Sequence, residues 1–472
     1  MTDLLNLGAC ALTAQIATRE LSCEELMRAT LARIEALNPR FNPIVALRDG
    51  EALIAEARAK DAGPARGALH GLPMAVKELE AVAGMPLNKG SPALVGHVST
   101  ADSLMVARLR AAGAILIGKS NVPEFGLGSH TVNPVYGPTR NAYDERLSAG
   151  GSSGGAAVAV ALRMVALADG SDVGGSLRNP AGWNNIYGFR PSFGRIPRDE
   201  ADAWLPSMGV LGPMARDADD LALLFSVQAG YDARAPLSLE GDGASFRGPF
   251  TADMQDKRIA WVGDFGGAIP FDPGVMDVAR GALASFEAMG CVVEEARPDF
   301  EIGEVWRAFK ILRAWQNAQL LDIYNDPVKR SLLPPTATYE VESGLKLSAY
   351  EVSAAAAVRT RWTEAVRRFS EVYDFWALPT AQCFAFPIEA RWPTEIGGKP
   401  MATYHQWMQC VVPATMCGCP TLAAPAGFDA QGRAMGVQIV APNHGERELL
   451  EFASAYHRAT GWPERRRPAA VA

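Results

Sequence analysis

The sequence predicts an α/β protein in which helices are layered against a sheet. Segments with the apolar spacing of amphipathic helices alternate with short apolar runs that are typical of buried strands. Apolar residues make up 48% and charged residues 21% of the 472 residues, as in ordinary globular proteins and unlike disordered chains or coiled coils. At about 150 residues per domain, the length alone predicts three domains.

The predicted elements follow one another in this alternating order. Ser22 and Glu25 form a capping-box sequence, and the helix that they begin is expected to end at Asn38-Pro39, because proline disfavours a helical residue before it. Further helices are predicted at 51–60, 102–112 and 154–167, and strands at 72–77, 114–117 and 257–263. The Ala- and Val-rich stretch 154–167 indicates a helix buried on all sides, and 231–256 is a loop-rich break.

Charge and cysteine usage exclude several classes of protein. With 45 basic and 52 acidic residues the net charge is −7, which gives no broad attraction to nucleic acid or to an anionic membrane. The start of the chain lacks the basic, apolar pattern of a signal peptide, and the longest apolar run is too short to span a bilayer. Seven scattered cysteines predict reduced thiols in the cytoplasm. The scattered histidines predict no metal site, and Cys417-Gly418-Cys419 lacks a second ligand pair.

Glycine is concentrated in one part of the chain, and this part is where we expect the functional site. Of 45 glycines, ten lie in the 45 residues from 150 to 194, about twice the density of the whole chain. These ten are Gly150, Gly151, Gly154, Gly155, Gly170, Gly174, Gly175, Gly182, Gly188 and Gly194.

Residues 113–120 fit the phosphate-loop pattern G-x-x-x-x-G-K-[ST]. A phosphate site needs the four central residues to form a loop between a strand and a helix, whereas here they are themselves the predicted strand. We therefore expect a strand that turns at Gly118, and no nucleotide site at Lys119.

Residues 150–155 contain the pattern G-x-S-x-G at both Ser152 and Ser153. In α/β-hydrolases this pattern places a serine nucleophile on a strand-to-helix turn, with an acid and a histidine later in the chain. The preceding residues, 141–148, form a polar loop rather than a strand, which argues against that arrangement. A Ser–His–Asp esterase remains an alternative, and its base would be His405, His444 or His457.

A third pattern, at 170–181, places Ser176 directly behind two glycines at a turn. Backbone N–H groups without flanking side chains can converge on an oxyanion beside such a serine. Ser176 is therefore a candidate nucleophile.

Together, residues 69–77, 150–155 and 170–181 resemble the amidase signature family, whose members use a Ser–cis-Ser–Lys triad. Lys77 lies 75 residues before Ser152, and Ser152 lies 24 residues before Ser176, intervals similar to those of the family. The likeness continues at 118–125, 137–141, 188–195, 212–216, 373–380 and 436–442, so it covers nearly the whole chain.

The resemblance implies a role for each residue of the site. Ser176 would be the nucleophile, Ser152, in a cis peptide with Gly151, the bridging acid and base, and Lys77 the final base. Burial at the end of an apolar strand should lower the pKa of Lys77 from its usual value near 10.4. The oxyanion would be held by N–H groups of Val173, Gly174 and Gly175 together with Ser176; Ser153, Asp172 and Arg178 would brace these loops; and Gly126, Gly128 and Ser129 would contact substrate. No metal or organic cofactor is implied.

The resemblance also implies a fold: a single large α/β domain with a mixed, twisted central sheet covered by helices on both faces. Its parts would be an N-terminal helical segment at about 1–65, a signature core at about 66–230, and variable substrate-wall and C-terminal segments at about 257–472. The break at 231–256 would then be a surface loop within one domain, against the three domains that length predicts.

The implied function is that of an amidohydrolase that cleaves a carboxylic amide C–N bond through a Ser176 acyl-enzyme. Six of the ten tryptophans lie between 306 and 407, a region that forms the substrate wall in the family, so the substrate is expected to be a small apolar or aryl amide. Water is the second substrate, a homodimer is possible, and no nucleic acid or membrane is expected as a partner. The alternative within the family is the glutamine-hydrolysing component of a tRNA-dependent amidotransferase.

Three features depart from the usual family pattern. Glu78 follows the catalytic lysine where the family usually has Asp, and Ser171 stands where it usually has Thr. Residues 182–185 are also atypical. None of the three is a member of the triad, so they bear on substrate identity rather than on activity.

Overall fold

A mixed eight-stranded sheet forms the centre of the molecule in a computed structural model that describes residues 4–199, 203–205 and 208–472. The strands are β1 (Ile44–Val45), β2 (Pro73–Lys77), β3 (Ile115–Ser120), β4 (Leu167–Asp172), β5 (Tyr187–Arg190), β6 (Val210–Ala215), β7 (Arg258–Trp261), β8 (Val292–Glu295), β9 (Phe375–Pro379), β10 (Glu395–Ile396), β11 (Lys399–Pro400), β12 (Thr421–Phe428) and β13 (Ala434–Val440). The α-helices are α1 (Ala9–Thr18), α2 (Cys23–Phe41), α3 (Gly50–Asp61), α4 (Leu104–Ala111), α5 (Gly154–Ala161), α6 (Arg178–Trp183), α7 (Ala218–Gln228), α8 (Val275–Gly281), α9 (Leu283–Ala288), α10 (Ile302–Gln316), α11 (Leu321–Asn325), α12 (Pro327–Arg330), α13 (Pro335–Gly344), α14 (Ala349–Phe369), α15 (Val412–Cys417), α16 (Glu446–Thr460) and α17 (Trp462–Arg465).

The strand order of the large sheet is β4-β6-β5-β12-β13-β9-β7-β8. Neighbours are antiparallel from β4 to β9, and parallel in the pairs β9–β7 and β7–β8. Strands from the first half of the chain therefore join strands from the second half at the β5–β12 pair. The α/β prediction is confirmed, and the three domains expected from length are wrong.

Helices cover both faces of this sheet. Alternate residues of β9 enter different hydrophobic clusters: Phe375 and Ala377 pack on one side, Trp376 and Leu378 on the other. The first cluster includes residues of α7, α9 and α16, and the second includes residues of α10, α14 and α15. Because both faces are covered, the central strands are buried throughout and their sequences are almost continuously apolar.

A smaller three-stranded sheet, in the order β1-β3-β2, carries Lys77 at the end of β2. β3 pairs with β2 in parallel, and Gly118, Lys119 and Ser120 continue this strand instead of turning at Gly118. Lys119 is fully buried and its Nζ donates to the Glu80 carbonyl at 2.5 Å. The phosphate-loop pattern thus lies on a strand, as the sequence argument against a nucleotide site requires.

Two helix ends differ from the sequence prediction. α2 begins with the predicted capping box at Ser22 but continues through Pro39 to Phe41, whose buried side chain and the Asn42 N–H bond to the Asn38 carbonyl hold the extra turn. α5 is buried at every residue, as predicted, but it ends at Ala161 because Arg163 takes a left-handed backbone conformation with φ 54°.

None of the helices in the described ranges combines the length and the apolar character that a membrane crossing needs.

Candidate active site

Lys77 is the buried end of a buried strand. All five residues of β2 are buried, and Lys77 itself has no exposed surface. Its Nζ lies 2.9 Å from Ser152 Oγ, 2.7 Å from Ser153 Oγ and 2.9 Å from Ser171 Oγ. The amine is therefore surrounded by three hydroxyl groups and forms no ion pair with a described carboxylate.

The environment of Lys77 favours the neutral amine. Burial lowers the pKa of Lys77 to about 7, against the opposing effect of the Asp169, Asp172 and Glu80 carboxylates. This agrees with the expectation from the apolar strand. An amine with such a pKa can accept a proton near neutral pH, which an ordinary lysine cannot do.

Ser152 and Ser153 lie in the polar turn that leads into α5. The peptide bond between Gly151 and Ser152 is cis, as the family resemblance implies. Close packing fixes the start of the helix, because a Cβ on Gly155 would lie only 2.3 Å from the backbone nitrogen of Asn121. The turn thereby brings both serine hydroxyls onto the Lys77 amine.

Ser176 lies in the turn between β4 and α6. The Ser176 hydroxyl faces the same cavity as Ser152, and the Ser176 carbonyl accepts the Ser153 N–H at 3.2 Å, which joins the two turns. The Ser152 and Ser176 hydroxyl groups form no hydrogen bond with each other. Both serines therefore reach the cavity, while only Ser152 contacts the amine of Lys77.

Asp172 shapes the turn that holds Ser176. Its carboxylate accepts the N–H groups of Gly175 and Leu177, at 2.9 and 3.1 Å, and pairs with both Nε and Nη2 of Arg178. Asp172 and Arg178 are both fully buried. Burial alone would raise the pKa of Asp172, but the guanidinium groups of Arg178 and Arg190 hold it well below its usual range. Asp172 is thus an anion that braces the turn, and it is not a base.

A cavity of about 400 Å³ opens onto the two serines. Its apolar wall contains Leu79, Phe125, Leu127, Val173, Leu205, Phe309, Trp315, Met408 and Val412. Its polar wall contains Ser171, Arg198, Arg313, Gln316, Asn317, Gln319 and His405. The size suits a small organic molecule, and the mixed walls suit an apolar body with polar substituents.

Some predicted substrate and oxyanion residues lie elsewhere than expected. Gly126 and Gly128 line the cavity, but Ser129 is buried and donates to the carbonyl of Gly151 and to Asn179. The N–H of Gly175 is already engaged by Asp172. Ser129 therefore fixes the cis turn instead of lining the cavity, and the Gly175 N–H is not free for an oxyanion.

The cluster of tryptophans contributes less to the cavity than the sequence predicts. Among the six tryptophans, Trp315 lines it, whereas Trp362, Trp376 and Trp407 are fully buried in the core. The late histidines do not form a triad either: His405 packs on Tyr404, and no histidine bonds to Ser152, Ser153 or Ser176 in the described part of the chain.

Several residues of the site lie outside the sequence prediction. Ser171, noted only as a departure, is a direct neighbour of the Lys77 amine. In the cavity wall, Arg313 donates to Glu340 and to the hydroxyl of Tyr404, at 2.9 and 2.8 Å. Because these partners come from α10, α13 and the loop after β11, no sequence spacing reveals them.

The chain belongs to the amidase family. The family model described as Amidase matches residues 25–450, and the solved structure of a bacterial aryl acylamidase of the amidase signature family superposes with a TM-score of 0.88. That structure is 25% identical, and the match covers 97% of this chain and 96% of the other. The structure of 6-aminohexanoate cyclic dimer hydrolase matches with a TM-score of 0.86 at 26% identity, over 99% of each chain.

Curated relatives are similar over almost their whole length. An acylamidase of Rhodococcus erythropolis is 32% identical over 467 residues, covering 98% of this chain and 97% of the relative. The A-type subunit of the glutamyl-tRNA(Gln) amidotransferase of Moorella thermoacetica is 33% identical over 495 residues, covering 99% of both. This protein is accordingly an amidase signature hydrolase of amide C–N bonds, with the mixed-sheet fold of that family.

Proposed function

We propose that Ser176 is the nucleophile, Ser152 the bridging acid and base, and Lys77 the final base of an acyl-transfer reaction. The observation that carries the proposal is the buried, neutral-favouring amine of Lys77, 2.9 Å from Ser152 Oγ, in a cavity that also contains Ser176. A serine hydroxyl is a weak nucleophile and needs such a base.

Each proton has a defined route in this reaction. As Ser176 Oγ bonds to the amide carbon, its proton passes to Ser152 Oγ, whose own proton passes to Lys77 Nζ. When the C–N bond breaks, Ser152 returns a proton to the leaving amine and is reprotonated by Lys77. Water then repeats the sequence on the acyl-enzyme and releases the acid. Substrate binding completes the contact between the two serines, since such hydrogen bonds often tighten only in the complex.

The developing oxyanion is held by the backbone of the turn before Ser176. Within the described ranges, the N–H groups of Val173, Gly174 and Ser176 have no acceptor. Gly175 serves this site indirectly, because its N–H bond to Asp172 holds the turn in shape. Removing one donor from a working oxyanion hole costs about 3–4 kcal/mol of transition-state stabilisation.

Ser176→Ala tests the assignment. We expect the variant to fold but to hydrolyse no amide, and a fluorophosphonate to label the Ser176 peptide of the wild-type protein, as read by mass spectrometry. Ser192→Ala removes an equally buried hydroxyl outside the cavity and should keep both activity and labelling. Hydrolysis by Ser176→Ala at the wild-type rate would overturn the proposal.

The proposed substrate is a small apolar or aryl amide. Phe125, Phe309 and Trp315 support an aromatic group, although the wall holds fewer aromatic residues than the tryptophan cluster predicts. A panel of anilides and short aliphatic amides measures this, and we expect a higher kcat/KM for the anilides. A clear preference for the short aliphatic amides would contradict it.

The second candidate function is glutamine hydrolysis within a tRNA-dependent amidotransferase, which the 33% identity to a component of such a complex favours. Co-purification of partner chains, with strong glutaminase activity in the complex, would establish it. The Ser–His–Asp alternative predicts that His405→Ala, His444→Ala or His457→Ala abolishes turnover. We expect turnover in all three, because none of these histidines contacts the serines. A cytoplasmic location also remains a proposal; the seven free thiols support it.

A further inference from the structure

Strand β4 holds Lys77 at both ends. Asp169 and Ser171 are two residues apart, so they point to the same side of the strand, toward β2. The Asp169 carboxylate accepts the backbone N–H of Lys77, at 3.1 Å to Oδ1 and 3.3 Å to Oδ2. Ser171 Oγ accepts the side-chain amine at 2.9 Å. The base is therefore fixed by two neighbouring side chains of a strand in the other sheet.

The Asp169 carboxylate is unusual because it is buried without a cationic partner in hydrogen-bond contact. It has no exposed surface, and the Lys77 N–H is the donor that it contacts in the described structure. Asp172, three residues later, is also buried but is paired with Arg178. An asparagine oxygen would accept the Lys77 N–H equally well, so the hydrogen bond alone does not explain a buried charge that is costly to maintain.

We propose that Asp169 is a positioning residue whose negative charge keeps the buried Lys77 amine basic enough to take the proton from Ser152. The inference rests on the proposed function of Lys77. Without an anion nearby, desolvation alone would make the amine a poorer base than the reaction needs, since a general base works best when matched to the operating pH.

The other charged groups around the pair do not replace Asp169. Lys77 also experiences Asp172 and Glu80, which favour its ammonium form, and Arg198, which disfavours it. The charge of Asp172 is balanced by its arginine partners. Asp169 itself faces Lys77, Lys119 and Glu80, and burial raises the pKa of Asp169 to about 7, the same range as Lys77. The two groups therefore titrate as a coupled pair.

The test is the pH dependence of kcat/KM in Asp169→Asn, which keeps the acceptor oxygen and removes the charge. We expect the acid limb to move to lower pH by about one unit, because the loss of a nearby opposite charge disfavours the ammonium. We expect kcat/KM at the plateau to fall, because the amine is a weaker base. Glu78→Gln is the matched control: Glu78 is a buried carboxylate that accepts two backbone N–H groups beside the same strand, and its variant should keep the wild-type limb.

Two further variants keep the test independent of folding defects. Asp169→Ser, a smaller neutral side chain, should show the same shift, and Asp169→Glu, which restores the charge, should return the limb to its wild-type position even where the rate is lower. A purely structural role predicts a uniform loss of rate with no shift, and an unshifted limb in the neutral variants overturns the inference. Ser176→Ala separates the two proposals: if it is inactive while the limb is unshifted, the proposed function stands and the role of Asp169 falls.

Discussion

Lys77 and Lys119 are both fully buried lysines on neighbouring strands, and their surroundings give them different chemistry. Lys119 donates to the Glu80 carbonyl, an acceptor that cannot receive or return a proton. Lys77 instead contacts three hydroxyl groups, one of them that of Ser152. A neutral amine can accept the proton of a hydroxyl while donating to two others, so the surroundings of Lys77 allow proton transfer and those of Lys119 do not.

We expect kcat/KM of the wild-type protein to rise through about pH 7 and to level off above it, because Lys77 must be deprotonated in the free enzyme and its pKa is about 7. Lys77→Ala should lose most activity, and the limb near pH 7 should be replaced by a steeper dependence on alkaline pH. The pH profile of initial rates measures both.

Lys119→Gln is the control for this experiment, since it also removes a buried amine from the same small sheet. It should keep the limb near pH 7 even if it is less stable. A limb that survives in Lys77→Ala, or that disappears in Lys119→Gln, would assign the base to another group.

The buried pair of Asp172 and Arg178 should be needed for stability as well as for activity. Arg178→Met leaves a buried carboxylate without its two-pronged partner, which costs about 3 kcal/mol or more. Denaturant unfolding measures the loss as a lower midpoint.

Arg146→Ala provides the comparison, because Arg146 makes the same two-pronged contact with Asp144 but its side chain is 87% exposed. Its midpoint should stay at the wild-type value. Equal losses in Arg178→Met and Arg146→Ala would show that burial of the pair is not what matters.

The proposed catalytic residues could be predicted because their spacings along the chain are characteristic of the family. The partners of these residues could not. Asp169 and Ser171 act on Lys77 because β4 lies beside β2, and the Gly175 N–H is engaged because the turn folds back onto Asp172. Such contacts depend on which elements are neighbours, and spacing along one chain does not contain that information.

At the scale of elements, α5 places the bridging serine through the close approach of its first turn. A Cβ on Gly155 would meet the Asn121 nitrogen at 2.3 Å and the Pro43 carbonyl oxygen at 2.6 Å, both backbone atoms that cannot rotate away. We expect Gly155→Ala to lower stability by about 3 kcal/mol and to reduce activity, because the clash shifts the turn that carries Ser152. Thermal unfolding and kcat/KM measure the two effects.

Gly281→Ala is the matched control in another helix. Gly281 ends α8, is exposed, and a Cβ there would meet nothing within 4 Å. The substitution should raise stability by up to about 1 kcal/mol, as expected for alanine in place of a helical glycine. If Gly155→Ala behaved like Gly281→Ala, close packing at the start of α5 would not be what fixes Ser152.

The ends of elements were predicted less well than their presence. The buried apolar sequence of α5 predicts a helix, but its end is set by the left-handed conformation of Arg163, whose side chain is itself buried and pairs with Glu464 near the end of the chain. α2 continues through Pro39 because Phe41 is buried beyond it. In both cases a tertiary contact outweighs the local signal.

At the scale of the whole molecule, the two halves of the chain depend on each other. β4, β6 and β5 form one end of the large sheet, and β12 pairs directly with β5. The main hydrophobic cluster extends from Leu5 to Tyr456, and it includes Phe246, Phe250 and Met254 from the loop-rich break. The break is therefore anchored in the core shared by both halves, which is why composition and length could not reveal a single unit.

This shared core predicts one cooperative unfolding transition for the 472 residues. We expect calorimetric and van't Hoff enthalpies of unfolding to agree, and we expect a chain cut between the exposed residues Glu240 and Gly241 to remain associated and active. Fragments 1–240 and 241–472 expressed separately should not fold, because each would expose an open edge at β5 or β12 and half of the hydrophobic cluster. Co-expression of the two should restore activity. Two separate transitions in the intact protein, or a cooperative transition in fragment 1–240 alone, would mean that the halves are independent domains that merely share a sheet.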